Sequence, residues 1–289
     1  NGNENASDFL LNIARQLEEL LQQHPKENTP KPPENDEEYL NFLMQVLQTV
    51  EYSRGNPDQV YRLLAQKQHL LDARLEKLLR AWSKQAFGQV SSEERNHLAG
   101  MIGNFANSIG QFPLGYKSNN LELAIISYDI ISDIFNRDQT PKMWAVLQNN
   151  LGNAYRERIK GSREENLERA IASYQAALSV YTRKDFPVQW AATQNYLGAV
   201  YHERKKGGRR NNLEKAKVCY ENALTIAKDN QDMEMIANCC YRLGEICAEQ
   251  RNKAKALEYW DKSGEIWQIL EKMDRLAQLS LKIARLSHK

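Results

Sequence analysis

The sequence predicts an all-α fold, a right-handed superhelix of stacked helix-turn-helix hairpins, and three observations carry that prediction. A 46-residue period runs through the second half of the chain, apolar residues recur at helical spacing in nearly every segment, and no stretch alternates convincingly in the manner of a strand. At 289 residues the chain is long for one compact core, yet its segments share one helical texture, so length reads as repeat number.

Trp144 recurs as Trp190, Leu151-Gly152 as Leu197-Gly198, Tyr155 as Tyr201, Ala170 as Ala216, Tyr174 as Tyr220 and Ala177 as Ala223, each 46 residues later. Leu243-Gly244 continues the series, and Ala256, Trp260 and Ser263 follow only 40 residues after their counterparts, so the last unit has lost six loop residues. Backward, Leu121, Ala124 and Tyr128 precede Leu167, Ala170 and Tyr174 by 46, while Phe105-Ala106 stands where Leu-Gly is expected. That gives four units over residues 93–271, the first degenerate. Leu151 and Tyr155 share one helical face, Gly152 and Ala170 permit close approach of two antiparallel helices, and Tyr174 with Ala177 fills the next interface. One hairpin cannot bury both its faces, so the units stack and leave a concave surface lined by their first helices.

Leu151-Gly152-x2-Tyr155 followed by Ala170-x3-Tyr174-x2-Ala177, repeated at Leu197 and, with Cys247 for the tyrosine, at Leu243, resembles the tetratricopeptide repeat (TPR) family. The usual aromatic three residues before the leucine is replaced by Gln148, Gln194 and Cys240. Within that family, Phe186-Pro187-x2-Trp190 and the string from Leu151 to Arg158 look like bacterial arrays often joined to caspase-like CHAT protease domains. The resemblance implies a regulatory or adaptor array; no protease domain is present in this sequence.

Before the repeats, residues 1–24 carry Leu10, Ile13, Leu17, Leu20 and Leu21 at helical spacing, and residues 25–36, with Pro30, Pro32 and Pro33, read as an extended tether. The tethered helix has three possible seats: its own solenoid, a neighbouring copy in a homo-oligomer joined through residues 7–24, or a partner. Residues 37–92 form a helical N-terminal region. Leu40, Leu43, Met44, Leu47 and Val50 mark its first helix, Asn56-Pro57 starts another, and Ser91 with Glu94 makes a capping box for the next. Residues 272–289, with Leu276, Leu279, Ile283 and Leu286 in one stripe, make a C-terminal capping helix.

Asparagines recur on the first helices of the repeats: Asn104 and Asn107, then Asn149, Asn150 and Asn153, then Asn195, and finally Asn238. Each amide offers a donor and an acceptor, so a ladder of them suits the backbone of an extended peptide; the competing reading is that they bond neighbouring helices to one another. Tyr196 and Ala199 break the ladder in the third unit. The same helical register adds Arg156, His202 and Tyr241 to the expected concave face. The TPR resemblance implies lysines beside the asparagines where a C-terminal carboxylate is gripped, and these first helices lack them, which argues against that mode.

A second feature is the basic loop Arg204, Lys205, Lys206, Gly207, Gly208, Arg209, Arg210, a candidate contact for nucleic acid or an acidic protein. The chain as a whole balances 39 Lys plus Arg against 37 Asp plus Glu, a net of +2, and Glu157, Glu164 and Glu165 dilute the loops, so a solvated turn is favoured over nucleic acid. No catalytic residue, cofactor or metal site is expected: five scattered histidines have no carboxylate or cysteine at ligand spacing, and phosphate-binding glycine loops are absent. Four cysteines without a CxxC pair suit reduced core thiols and a cytoplasmic location, and no apolar run is long enough to span a membrane. The expected function is a non-catalytic protein-protein interaction module or adaptor, taking a peptide or a partner helix in the concave groove. The alternatives are a self-associating scaffold or regulatory subunit and nucleic-acid contact through the loops.

Overall fold

The computed structural model describes residues 35–53 and 56–287, so the predicted helix before residue 25 and the tether up to residue 34 lie outside the described residues. The chain divides after Gly161 into two compact units. Unit 1 holds α1 (Asn35–Tyr52), α2 (Pro57–Gln66), a 3-10 turn (Gln68–Leu70), α3 (Ala73–Gln89), α4 (Ser92–Gln111), α5 (Lys117–Ile131) and α6 (Pro141–Glu157). Unit 2 holds α7 (Arg163–Leu178), α8 (Pro187–Glu203), α9 (Arg209–Asp229), α10 (Met233–Glu249), α11 (Lys253–Ile269) and α12 (Met273–Ser287). No strand occurs among the described residues, and none of their helices is long and apolar enough to cross a membrane.

Helix starts in unit 1 follow the side chains that can replace missing backbone partners. Asn56 accepts from the Asp58 amide at 3.0 Å with Pro57 in the first turn, and Asp72 accepts from Arg74 and Leu75. Ser91 and Glu94 cap α4 reciprocally. The predicted stripe Leu40, Leu43, Met44, Leu47 and Val50 is buried where α1 packs on α2, α3 and α4, each side chain contributing about 1.5–3 kcal/mol. The first turn of α1 is fixed by Arg74 on Asp36 at 2.6 Å and by the Tyr39 hydroxyl donating to Asp72 at 2.7 Å. Next come the hairpin α4–α5 and the helix α6, which packs on both of its members.

In unit 2 the hairpins α8–α9 and α10–α11 close through glycine. A Cβ on Gly198 would stand 3.1 Å from Tyr220 Cε1, and one on Gly244 only 2.3 Å from Trp260 Cδ1. Trp260 is held there because its indole N–H donates to the Tyr241 carbonyl at 3.1 Å, while Ser263 donates to the Ala237 carbonyl at 2.9 Å. Leu279 of α12 joins Trp260 and Trp267 in the last core, flanked by Leu276, Ile283 and Leu286. All four cysteines are buried thiols, and burial raises Cys219 and Cys239 to about 12, which suits packing rather than reactivity.

Two kinds of loop join the helices. Gly115, Gly161 and Gly207, 46 residues apart, all have positive φ (74°, 80° and 83°), and each precedes a buried asparagine, Asn120, Asn166 or Asn212, at the start of a second helix. The Asn120 amide donates to Leu114 O at 2.9 Å and Phe112 O at 3.4 Å, and the Asn212 amide to Lys206 O at 2.8 Å and Arg204 O at 3.0 Å. Further on, Arg251 replaces this clamp between α10 and α11, and Gln231 and Glu271 end α9 and α11 at the connections after a hairpin; all three are single left-handed residues (φ 61°, 55° and 54°). Each is followed by an amide bonded back to the preceding helix: Asp232 to Ala227, Asn252 to Cys247, Lys272 to Trp267. The loop lost from the last repeat is thus a clamped loop exchanged for a tight helix stop.

Substitution to alanine should follow the space behind each glycine. Gly244→Ala, driving Cβ into the Trp260 ring, is expected to cost about 1–3 kcal/mol and more than Gly198→Ala. Gly100→Ala in α4, with nothing within 4 Å, should be neutral or stabilise by about 0.5–1 kcal/mol. Urea unfolding of the three variants checks the order, and a Gly244→Ala chain as stable as wild type would contradict the packing.

Candidate functional site

The asparagine columns separate once the helices are in place. Asn150 and Asn153 of α6 and Asn107 of α4 line one cavity of about 500 Å³ in unit 1. Its floor is Leu121, Ala124 and Tyr128 of α5, and its rim is the loop carrying Phe112, Pro113, Leu114 and Gly115. Asn107 Oδ1 accepts from the Tyr128 hydroxyl at 2.6 Å and from Asn150 Nδ2 at 2.8 Å, which fixes both amides. Burial pushes the Tyr128 phenol above its ordinary 10.0, so it stays protonated and keeps donating. The Asn107 NH₂ and the Asn150 carbonyl are then left as one donor and one acceptor for a ligand. Lys117 and Glu157, 2.8 Å apart and largely solvated, close the far side.

The rim is rigid for reasons already in the loop. The buried Asn120 holds its carbonyls, and Arg158, which caps α6, makes a two-pronged pair with Glu122 at 2.7 and 2.8 Å while lying 5.9 Å from the centre of the Tyr155 ring. In unit 2 the same pair recurs 46 residues later as Arg204 on Glu168, at 2.6 and 2.9 Å.

The other expected site residues fall elsewhere. Asn104 is exposed on α4, and Asn149 and Arg156 of α6 are half-buried. Asn195 points into the helix stack, where Cys239 Sγ lies 3.8 Å from its oxygen. Tyr241 is corrected from groove to core: it is 8 % exposed, packed against Trp267 at 5.2 Å between ring centres, and covered by Lys282 of α12. The reason is helical rotation, since residues 149, 195 and 241 share a column one residue, about 100°, off the Asn150 column. Along that Asn150 column unit 2 carries Tyr196, stacked on Tyr174 at 6.0 Å, and Arg242, paired with Glu245 at 2.8 Å. Asn238 is half-buried, and His202 bonds Glu249 at 2.9 Å.

The basic loop is less basic than its sequence. Arg204 is tied to Glu168, and Arg209 to Glu249 at 2.6 Å and to the His202 carbonyl, which leaves Lys205, Lys206 and Arg210 exposed on the surface. In the loop before it, Arg163 pairs with Glu203. No cluster of metal-ligating side chains occurs among the described residues. Asn120 and Glu122 carry a signal of their own in the sequence, recurring with Arg158 46 residues later as Asn166, Glu168 and Arg204.

Stacked antiparallel hairpins closed by small residues, with an open amide-edged cavity, define a TPR-like helical-repeat protein of the α-solenoid class. The family described as "SNAP: Soluble NSF attachment protein, SNAP" matches residues 185–289. Among solved structures the chain is similar to the crystal structure of BtubC (BKLC) from P. vanneervenii, with a TM-score of 0.52 and 19 % identity over 82 % of this chain and 92 % of that one; the likeness is one of fold. The sequence matches no curated protein.

The repeated arginine pair makes a pH prediction. The Arg204 hydrogen bonds hold the Glu168 carboxyl below its ordinary 4.5, so the pair's stabilisation is present above that value and lost as pH falls through the lowered one. Arg204→Met should therefore lower stability by about 1–3 kcal/mol at pH 7, with the gap from wild type closing as pH falls through the lowered value. Denaturant midpoints across pH 3–7 test this, and a gap that is constant across that range would contradict it.

Proposed function

We propose that the chain is a non-catalytic interaction module whose working surface is the trough between α4 and α6, where a partner polypeptide is held in extended or helical form. The observation that carries the reading is the Asn107–Asn150 pair, fixed by Tyr128 at the edge of a cavity with an apolar floor. A peptide group needs one acceptor and one donor, which the pair offers side by side, and an apolar side chain of the partner fills the space over Leu121 and Ala124. Unit 2 offers no equivalent at Tyr196 and Arg242, so the reading assigns anchoring to unit 1. The family that matches residues 185–289 is named for attachment proteins, which agrees with an adaptor. Four unpaired buried thiols fit action in a reducing compartment, and the cytoplasm is the proposed location.

Binding of the full chain to a peptide array tests this. Asn107→Ala with Asn150→Ala should weaken the retained peptides about tenfold or more, two hydrogen bonds at about 1 kcal/mol each. Asn195→Ala, whose side chain faces the stack, should leave the array pattern unchanged. Undiminished binding by the double variant would remove the trough from the account.

A further inference from the structure

In unit 2 the three most exposed large apolar side chains of the described residues stand together in sequence: Ile269 (70 %), Met273 (65 %) and Leu281 (60 %). One side of α12 is seated. Leu279 joins the core of Trp260 and Trp267 with Leu276, Ile283 and Leu286 beside it, and Lys282 pairs with Glu245 of α10. The opposite side carries Met273, Ala277, Leu281 and Ala284 at helical spacing, all exposed and covered by no described element. A helix that closes a repeat array turns a polar face outward, and this one does not. The repeat shows what such a face does. Ala277, Leu281 and Ala284 follow Ala237, Tyr241 and Gly244 of α10 by 40 residues. In α10 those three seat an antiparallel second helix: the Ala237 carbonyl accepts from Ser263, the Tyr241 carbonyl accepts from Trp260, and the Trp260 ring lies against Gly244.

We propose that a second copy of this chain covers the open face, the two α12 helices packing antiparallel about a two-fold axis at the level of Leu279. The charges beside the stripe select this occupant and this direction. Asp274 and Arg285, both exposed, flank Leu281 on the same side of the helix, one near its start and one near its end. Two antiparallel copies set Asp274 of each beside Arg285 of the other and Ala277 of each beside Leu281 of the other. Two ion pairs and two small-on-large contacts then form at once, as an isologous interface requires. A parallel pair would set like charges together instead. The antiparallel order is also the one in which α10 and α11 already pack, through the same register of the repeat. One helix from each copy buries well under the roughly 1,200 Å² of a stable complex, so the dimer is a weak one that forms in the micromolar range or above.

Sedimentation equilibrium of the full chain between about 1 and 200 µM is expected to show a monomer passing into a dimer. Leu281→Glu, at an exposed position, should weaken association about tenfold or more. Asp274→Arg and Arg285→Asp, each setting like charges together, should weaken it about threefold to tenfold, and the two changes in one chain should restore it. Val218→Glu on α9, at a site 47 % exposed, should leave it unchanged. A chain that stays monomeric at every concentration overturns the proposal and leaves the face to a different protein. A dimer that Leu281→Glu does not weaken overturns it in favour of another surface, and one that the paired charge change does not restore overturns the antiparallel order. No residue of α12 lines the cavity of unit 1, so failure here leaves the trough to be judged by the peptide array alone.

Discussion

A buried side-chain amide that has to find partners sets the spacing of this protein. Asn120 and Asn212 stand at the start of their helices with almost no solvent contact, and the NH₂ of each meets the requirement by holding two carbonyls of the loop before it. The loop can turn back onto the amide because a glycine with positive φ precedes it, and two residues after Asn120 and Asn166 the carboxylates Glu122 and Glu168 pair with Arg158 and Arg204, the residues that cap α6 and α8. The 46-residue period is therefore the length of two helices, one clamped loop and the connection to the next hairpin. Where the clamp is absent, between α10 and α11, the left-handed Arg251 ends the helix, and Ala256 follows Ala216 by only 40 residues.

The same device builds the cavity in unit 1. By fixing the carbonyls of Phe112 and Leu114 it holds an apolar rim above α5, and the space below is left open because the side chains meeting across it, Asn107 and Asn150, are short and bond to each other. Larger residues in the corresponding column of unit 2 remove the opening: Tyr196 stacks on Tyr174, and Arg242 enters an ion-paired group with Glu245, which Lys282 of α12 also contacts. Two stretches of one repeat thus differ in whether a cavity is open through side-chain size at a single register, with the backbone plan retained.

Much of the fold was legible because close packing of helices needs small residues at fixed intervals, and Gly198, Gly244, Ala216 and Ala256 declare themselves by recurrence. Caps were legible for a similar reason, Asn56 and Ser91 being local chemistry. The site was legible in part. Asn107, Asn150 and Asn153 line one cavity, but the column shared by Asn195 and Tyr241 turns inward, and a rotation of one residue is below what spacing alone resolves. The repeat places Tyr128 at an interface; that its hydroxyl orients Asn107 depends on a distance of 2.6 Å that no sequence pattern specifies. The charge of residues 204–210 misleads for the opposite reason, since the carboxylates that bind Arg204 and Arg209 lie 36 and 40 positions away in sequence.

The measurement that bears most directly on the amide clamp is hydrogen exchange on the full chain with Asn120→Leu, a replacement of similar size without hydrogen-bonding groups. The account predicts that the variant loses about 1–3 kcal/mol because two carbonyls are left without their donor, and that the amides of residues 112–117 exchange faster while those of α8 and α9 do not change. Exchange in that loop at the wild-type rate, with stability unaltered, would contradict the claim that the buried asparagine holds the rim.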